Sequence, residues 1–241
     1  MTNDAYGEEL LAFYMGKARP IEIVERDDLF ISTGSAVGRY FSKFEEWLPH
    51  ERKAIRLARG RVLDIGCGAG RHSLYLQDKG LDVTAIDNSQ GAVKVSRMRG
   101  LKKVMLRPIS RIGKFPAHSF DTVIMLGNNF GLFAGREKAK EALKSIHRIT
   151  SDQGKIIAES LNPYNTTERS HVEYRNWNRR RGRMPGQIKI RVRFGETVGP
   201  WFDYLLASEQ EMAEVLQGTG WKIGRIIHSK GPSYIAIIGK I

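Results

Sequence analysis

A glycine-rich segment between two predicted elements is the part of this sequence best suited to chemistry. Asp64-Ile65-Gly66-Cys67-Gly68-Ala69-Gly70 joins a short apolar run to a helical pattern that begins at Arg71. Glycines let the backbone turn tightly and approach a ligand, and a helix N-terminus offers free N–H groups. A second apolar run ends in Asp87, at the distance where nucleotide-binding folds place a carboxylate that accepts both ribose hydroxyls. The spacing predicts a site for a ligand that contains a nucleoside.

Two features of this segment argue against a dinucleotide as the ligand. The pattern G-x-G-x-x-G needs a further glycine near His72, where the sequence has none. In addition, an acidic residue, Asp64, stands at the start of the segment.

Strand and helix patterns alternate on both sides of the glycine-rich segment. The predicted strands are 61–65, 81–87, 103–106, 120–126 and 155–160, and the predicted helices are 71–79, a helix capped by Ser89 that stops at Gly100, and 136–149. Ser208 and Glu211 form a capping box for a last helix, and strands at 221–228 and 233–241 follow, joined by a tight turn. We therefore predict an α/β fold with a mostly parallel sheet and one antiparallel strand from the terminal hairpin.

The chain divides into an extension, a core and an insertion. We predict an N-terminal extension at 1–40, a core at 41–163 and 205–241, and an inserted cap at 164–204. The core starts with a helical pattern from Phe41 to Arg59 that Pro49 must interrupt or restart. The insertion is too long for a plain connection. Strand-like patterns at 171–177, 188–194 and 201–206 predict a small antiparallel β cap.

Composition excludes a fibrous or disordered chain and any membrane-spanning helix. Hydrophobic residues make up 41% of the 241 residues, and no apolar run approaches the ~20 residues that such a helix requires. The acidic N-terminus lacks the features of an export signal and there is one cysteine, so we expect a cytoplasmic protein. No metal site is predicted.

Positive charge is concentrated in two segments. The chain has 39 basic and 26 acidic residues, and the excess lies at 94–114 and 168–193. Such segments attract RNA, an anionic membrane surface or an acidic small substrate, or they form solvated faces. Among them, Arg175, Arg191 and Arg193 suit bidentate binding of a substrate carboxylate or phosphate.

The motifs taken together resemble those of the class I S-adenosylmethionine-dependent methyltransferases. The run from Val62 to Gly70 is similar to the first motif of that family, 83–87 to the second, and 119–124 to the strand-four motif. The resemblance covers residues 40 to 160, and 205 to 241 by pattern. It implies a Rossmann-like seven-stranded sheet in the order 3-2-1-4-5-7-6, with strand 7 antiparallel, and S-adenosyl-L-methionine as the cofactor, with S-adenosyl-L-homocysteine as the product.

The resemblance also implies which residues bind the cofactor. Asp64 and the backbone of the glycine-rich segment would hold its methionyl end, Asp87 its ribose, and Asn88 would flank the adenine. Many family members carry an acid after the third strand, and here 108–111 has none, so Ile109 and Ser110 would contact the adenine instead. The complete set of cofactor candidates is Asp64, Gly66, Cys67, Gly68, Gly70, Asp87, Asn88, Ile109, Ser110, Leu126, Gly127, Asn128 and Tyr40. Of these, Cys67 is interpreted as a packing residue, and Tyr40 lines the methyl group or belongs to the core.

The residues after the fourth strand indicate the type of acceptor. Methyltransferases of exocyclic or side-chain amides carry N/D-P-P-Y/F there, whereas this chain has Leu126-Gly127-Asn128-Asn129-Phe130. This run, with Asn162-Pro163-Tyr164 and a β-rich insertion, resembles glycine- and sugar-amine-type small-molecule N-methyltransferases, whose insertions form a lid. We therefore expect a small-molecule substrate, methylated at nitrogen or else oxygen.

An amine must be neutral when it attacks a methyl group, so a base near the acceptor is expected. His171 and Tyr174 in the predicted cap are the candidates, with Tyr164 as a hydrogen-bonding alternative. Two other functions stay open at this point: an RNA methyltransferase that uses both basic segments to bind the phosphate backbone, and a cofactor-binding partner subunit without catalysis. The sequence does not indicate the oligomeric state.

Overall fold

Seven strands form the central sheet of the protein, as described by a computed structural model for residues 3–17 and 20–241. These strands are β3 (Arg61–Ile65), β4 (Asp82–Asp87), β5 (Val104–Leu106), β6 (Phe120–Met125), β7 (Thr150–Leu161), β11 (Trp221–His228) and β12 (Ser233–Lys240). Their order is β5-β4-β3-β6-β7-β12-β11, and of these seven described strands β12 alone runs opposite to the others. The predicted order and the predicted antiparallel strand are confirmed.

Helices cover both faces of this sheet, as its apolar strands require. The helices are α1 (Ala5–Tyr14), α2 (Pro49–Ile55), α3 (Arg71–Asp78), α4 (Gln90–Met98), α5 (Arg136–Ile149), α6 (Arg169–Arg180) and α7 (Glu209–Leu216). In α5, Ala139, Leu143 and Ile146 form a buried stripe at helical spacing. At α7, the predicted capping box is present, with Ser208 and Glu211 each bonding the other's backbone N–H.

A second sheet joins the N-terminal extension to the insertion. It contains β1 (Ile21–Arg26), β2 (Ile31–Ala36), β8 (Gln187–Phe194), β9 (Thr197–Val198) and β10 (Phe202–Leu205). The order is β10-β8-β1-β2, with β9 paired to β8, and all pairs are antiparallel. The cap is thus larger than the sequence predicted, because the extension supplies two of its strands. The chain boundaries at 41, 163 and 205 stay a prediction.

The strand predicted at 171–177 is wrong, because this segment lies in helix α6. Val172, Tyr174 and Trp177 have β-rich character, but over seven residues their spacing does not separate a strand from a helix. Helical contacts decide the outcome: Arg169 pairs with Glu173 one turn later, and Tyr174 and Asn178 are buried one turn apart.

The segment from Phe41 to Arg59 is less helical than its apolar spacing predicted. It contains the end of a 3-10 helix (Val37–Phe41), a second 3-10 turn (Phe44–Glu46) and the short helix α2. Pro49 is the first residue of α2, where its missing N–H costs nothing. Trp47 packs on His72 and Tyr75, so packing and not helix length fixes this segment on the core.

No helix within 3–17 and 20–241 combines the length and the apolar character needed to cross a membrane.

Candidate functional site

The glycine-rich loop connects β3 to α3 at the carboxyl edge of the central sheet. Gly66, Gly68 and Gly70 have φ values of 75°, 55° and 81°, in the left-handed region that favours glycine. Lack of space adds to this requirement at Gly66, where a Cβ atom would lie 2.7 Å from Asn129 Nδ2. The predicted glycine loop is therefore present, and its glycines are needed for both conformation and space.

Asp87 is fixed against this loop by hydrogen bonds to both of its carboxylate oxygens. Oδ2 accepts from the Gly68 N–H and Oδ1 from the Ser89 N–H, each at 2.9 Å. Burial raises the pKa of Asp87, and these backbone donors oppose the increase. Each oxygen keeps an acceptor position, as a ribose-binding carboxylate requires.

Asp64 is a second buried carboxyl group at the start of the loop. Its Oδ2 accepts a 2.6 Å hydrogen bond from Ser73 Oγ on α3. Burial raises its pKa to about 7, and the nearby charge of Asp87 adds to the increase. Two buried carboxyl groups next to one glycine loop would bind a ligand that carries hydroxyl groups and positive charge, and S-adenosylmethionine has both.

Four other cofactor candidates differ in their burial, and their contact with the cofactor stays a prediction. Cys67 is buried with Ala85, Val93, Leu101 and Val104, which agrees with its interpretation as a packing residue. Burial also raises the pKa of its thiol, so it is not a nucleophile. Asn88 and Ser110 are exposed, and Ile109 is partly buried against the main core.

The turn after β6 is held from two directions. Gly127 and Asn128 both have left-handed φ values, 74° and 67°. The Gly127 N–H donates to Glu159 Oε2 at 2.7 Å, and the Asn128 carbonyl accepts from Tyr204 Oη at 2.6 Å. A Cβ atom on Gly127 would meet no atom within 4 Å, so this turn borders open space. Leu126 before it is buried in the core.

Asn129, which the sequence analysis did not select, connects this turn to the glycine loop. Its Nδ2 donates to the carbonyls of Ile65 and Gly66 at 2.9 and 2.7 Å. The loop and the turn therefore keep a fixed separation. Asn129 lies inside the run that resembles N-methyltransferases, and its neighbour Asn128 was selected in its place.

Two tyrosines lie over the glycine loop. The position of a Cβ atom on Gly68 would be 2.6 Å from Tyr6 Oη and 3.9 Å from Tyr40 Cδ1. The rings meet edge to face, with centroids 5.5 Å apart. Tyr40 Oη donates a 2.9 Å hydrogen bond to Glu22 Oε1 on β1. Tyr40 thus lies beside the loop and also packs against the hydrophobic cluster that contains Leu10 and Val37, and its role near the methyl group stays a prediction. Tyr6 and Glu22 belong to the same place and were missed by the sequence analysis.

Helix α1 carries Tyr6 and is fixed on α4. Asp4, the N-cap of α1, accepts hydrogen bonds from Ser89 Oγ at 2.8 Å and the Gly91 N–H at 2.9 Å. The backbones approach so closely that a Cβ atom on Gly91 would lie 2.5 Å from Gly7. These hydrogen bonds hold α1 at Ser89, which is two residues from Asp87. Helix α1 therefore lies beside the predicted ribose site.

Glu9 on α1 is fully buried, and neither of its carboxylate oxygens has a hydrogen-bond partner among the described residues. Burial raises its pKa to about 8, and the nearby Glu22 adds to the increase. In the same part of the chain that the structure describes, Asn128 Oδ1 is also buried without a partner. The sequence indicated only an N-terminal extension here, which gave no reason to select Glu9.

Each of the three catalytic candidates from the sequence already has a polar partner. His171 Nδ1 lies 2.9 Å from Arg26 Nη1 and so acts as the acceptor, which requires a neutral ring. Tyr174 Oη donates to Asp27 at 2.6 Å, and Tyr164 Oη donates to Glu211 at 2.7 Å.

The contacts of these three residues are with other elements. His171 and Tyr174 lie one turn apart on α6, and their contacts tie this helix to the second sheet. Tyr164 contacts α7. None of the contacts described for them involves the glycine loop, and their catalytic role stays a prediction.

The arginines considered for an anionic substrate are also engaged. Arg175 is buried and donates to the carbonyls of Pro163 and Thr166. Arg191 makes a bidentate pair with Glu25 at 2.9 and 3.0 Å, and Arg193 approaches the same carboxylate at 3.1 Å. These contacts stabilise the cap.

Comparisons with known proteins agree with the geometry of the loop. Residues 63–158 match the Methyltransferase domain family. The chain is 30% identical over 165 residues to the demethylmenaquinone methyltransferase of Renibacterium salmoninarum, covering 67% of this chain and 66% of that protein. It is 30% identical over 107 residues to the glycine/sarcosine N-methyltransferase of Aphanothece halophytica, covering 42% of this chain and 40% of that protein.

One solved structure is similar over nearly the whole chain. It is a SAM-dependent methyltransferase from Bacteroides fragilis in complex with S-adenosyl-L-homocysteine, with a TM-score of 0.84 and 25% identity. The match covers 99% of this chain and 95% of that one. By contrast, the chain spans about 40% to 66% of the length of the two curated relatives named above.

Proposed function

Because the chain belongs to the class I S-adenosylmethionine-dependent methyltransferases, we propose that it transfers a methyl group from S-adenosylmethionine to the nitrogen of a small molecule. The observation that carries the proposal is the hydrogen bond from Tyr40 to Glu22 beside Gly68. It holds a carboxyl group next to the loop that would bind the cofactor. A carboxylate at this place attracts a hydrogen-bond donor with positive charge, which an amine provides.

The glycine-rich loop and the end of β4 would bind different parts of the cofactor. Asp87 would accept the ribose hydroxyls, and Asp64 with the loop backbone would bind the methionyl end. S-adenosylmethionine supplies a methyl group on a sulfonium, which is already an activated leaving group. The protein therefore contributes alignment and exclusion of water more than chemical activation.

Tyr6 and Tyr40 are placed to provide that exclusion. Both rings cover the loop at Gly68, and burial raises the pKa of each hydroxyl well above its usual range, so both stay protonated. Tyr40 therefore remains a donor to Glu22. Burial raises the pKa of Glu22, while Tyr40 and the positive charge of Arg39 oppose the increase.

An amine acceptor fits these groups better than an anionic one. Glu9, Glu22 and the unpartnered Asn128 Oδ1 are all hydrogen-bond acceptors when the carboxyl groups are ionised. The arginines that would bind an anion already hold Glu25 or backbone carbonyls. The similarity to a glycine/sarcosine N-methyltransferase adds support for nitrogen as the acceptor.

Isotope-labelled methyl transfer tests this function. The protein is incubated with S-adenosylmethionine labelled in the methyl group and a desalted cell extract to which pooled metabolites are added back. Small molecules, RNA and protein are then separated. We expect the label in small molecules, on nitrogen. Label on oxygen, or label in macromolecules that ribonuclease releases, would contradict the proposal.

Two variants test whether the charge of Glu22 contributes to this methyl transfer. Glu22→Gln keeps the shape of the side chain and an acceptor for Tyr40 but removes the charge. We expect it to lower the transfer rate at limiting amine roughly 10- to 100-fold, as for the loss of a charged hydrogen bond. Glu8→Gln makes the same change at an exposed position of α1 and should leave the rate unchanged.

A further inference from the structure

We propose that Glu9 is the proton acceptor for the substrate, binding the ammonium group of the incoming amine and taking up its proton before methyl transfer. This inference rests on the proposed N-methyltransferase function. It assigns a catalytic residue on the N-terminal helix, outside the three candidates that the sequence indicated.

Glu9 differs from every other buried carboxyl group in 3–17 and 20–241. The others have hydrogen-bonding or charged partners: Glu25 with Arg191, Glu51 with Arg71, Asp64 with Ser73, Asp87 with Gly68, Glu159 with Gly127, and Glu211 with Tyr164. Glu9 has no partner for either oxygen among these described residues. A buried carboxyl group without a partner is costly for stability, which indicates that a ligand supplies the missing contact.

The position of Glu9 on α1 points to that ligand. Glu9 follows Tyr6 by three residues, so the two side chains lie on the same side of the helix. Tyr6 Oη lies at Gly68 in the glycine loop, and the charge of Glu9 acts on Tyr6 and Tyr40. Glu9 is therefore on the face of α1 that presents Tyr6 to the predicted cofactor site.

Three titratable groups interact electrostatically with Glu9: Tyr6 on the same helix, Glu22 on β1, and Tyr40 on the 3-10 helix Val37–Phe41. Two further charged groups act on these neighbours, since Arg39 acts on Glu22 and Tyr40, and Asp87 acts on Tyr6. Both tyrosines stay neutral at ordinary pH because burial raises their pKa values. Proton uptake near neutral pH is thus left to the two carboxyl groups, and Tyr40 already donates to Glu22.

The chemical balance of the step is simple. Binding of the ammonium group displaces to solvent the proton that Glu9 holds near neutral pH, so a carboxylate then faces the ammonium group. An ammonium N–H bond breaks and its proton passes to this carboxylate, which leaves a neutral amine with a free electron pair. That pair forms the new N–C bond while the C–S bond breaks and its electrons neutralise the sulfonium. The product leaves as a methylated ammonium ion, and Glu9 keeps its proton until the next ammonium group binds.

An ammonium analogue of the cofactor tests this role without a known acceptor. Sinefungin has a carbon in place of the sulfonium sulfur, and the amine on that carbon takes the position of the methyl group, whereas S-adenosylhomocysteine has no group there. Binding of each ligand is measured by calorimetry at pH 7 in buffers of different ionisation enthalpy, which gives the protons released. Because the pKa of Glu9 is about 8, its carboxyl group is mostly protonated before the ligand binds.

We expect sinefungin to release close to one proton more than S-adenosylhomocysteine from the wild-type protein. Glu9→Gln should abolish this difference and weaken sinefungin binding at least tenfold, by roughly 1.4 kcal/mol or more, with S-adenosylhomocysteine binding unchanged. Glu8→Gln, the matched change at the exposed neighbour, should behave as wild type. A thermal melt checks that both variants fold.

The outcomes separate this inference from the proposed function. If S-adenosylhomocysteine binds normally but the proton difference persists in Glu9→Gln, the role of Glu9 is overturned and the proposed function stands. If Glu9→Gln weakens both ligands equally, Glu9 supports the cofactor site only, and the inference is also overturned. If the wild-type protein binds neither ligand, both fail.

Discussion

Glu159 Oε2 accepts a hydrogen bond of 2.7 Å from the Gly127 N–H, so a side chain of β7 holds the turn that follows β6. The other oxygen of Glu159 lies 3.4 Å from His50 Nε2 on α2. This carboxylate thus connects the core to the turn that carries Asn128. Asn129 extends the connection to the glycine loop through its bonds to Ile65 and Gly66.

We expect Glu159→Ala to release the turn at Gly127. The Gly127 N–H loses its charged acceptor, which should cost about 1.5–3 kcal/mol of stability, and S-adenosylhomocysteine should bind more weakly. Glu159→Gln should keep most of the stability and most of the affinity for S-adenosylhomocysteine, because its amide oxygen still accepts a hydrogen bond from the Gly127 N–H. Chemical denaturation and calorimetric titration measure these effects. Equal losses in the two variants would show that the hydrogen bond does not position the turn.

The contact between α1 and α4 depends on the absence of a side chain at Gly91. A Cβ atom there would lie 2.5 Å from the Gly7 backbone, so Gly91→Ala should push α1 away from α4. We expect weaker S-adenosylhomocysteine binding, because Tyr6 would move from the glycine loop. Gly239→Ala serves as the control, since a Cβ atom on Gly239 meets no atom within 4 Å. Unchanged binding in Gly91→Ala would mean that α1 does not cover the cofactor.

The unpartnered Glu9 predicts an unusual dependence of stability on pH. Its pKa is about 8 in the folded protein and 4.5 as an ordinary carboxyl group. Between these values the folded state holds a proton that the unfolded state releases, so the contribution of Glu9 to stability falls as pH rises from 4.5 to 8. Above the folded pKa the loss is complete.

Glu9→Gln removes this titration. The variant should therefore gain free energy of unfolding relative to wild type as pH rises through that window, by a few kcal/mol in total. Denaturation at pH 5 and pH 8.5 measures the gain, with Glu8→Gln as the control. A difference between variant and wild type that is the same at both pH values would contradict the burial of an unpartnered carboxyl group.

The sequence contained most of the information on the central sheet and the glycine loop, because local signals determine both. The left-handed glycines, Asp87 at the end of β4 and the capping box at Ser208 each act within a few residues of chain. Their positions in the structure match the prediction. The order of the strands was predicted from the resemblance to a family, and that resemblance depends on these local motifs.

The positions of α1 and β1 near the glycine loop could not be predicted, because contacts between distant parts of the chain determine them. Asp4 binds Ser89 and Gly91, and β1 pairs with β8 across more than 160 residues, as at Glu25 and Arg191. Glu9 and Glu22 become notable only after these contacts bury them. The misassigned helix α6 has a different cause, since its short apolar pattern suited either element.

Binding of S-adenosylhomocysteine to Asp87→Ala is the most direct test of the central claim that the glycine loop and Asp87 hold the cofactor. We predict that the wild-type protein binds this ligand and that the variant binds it more weakly by about 1.5–3 kcal/mol, roughly 10- to 150-fold, because the acceptor of the ribose hydroxyls is lost. The same dissociation constant in both proteins would contradict the account.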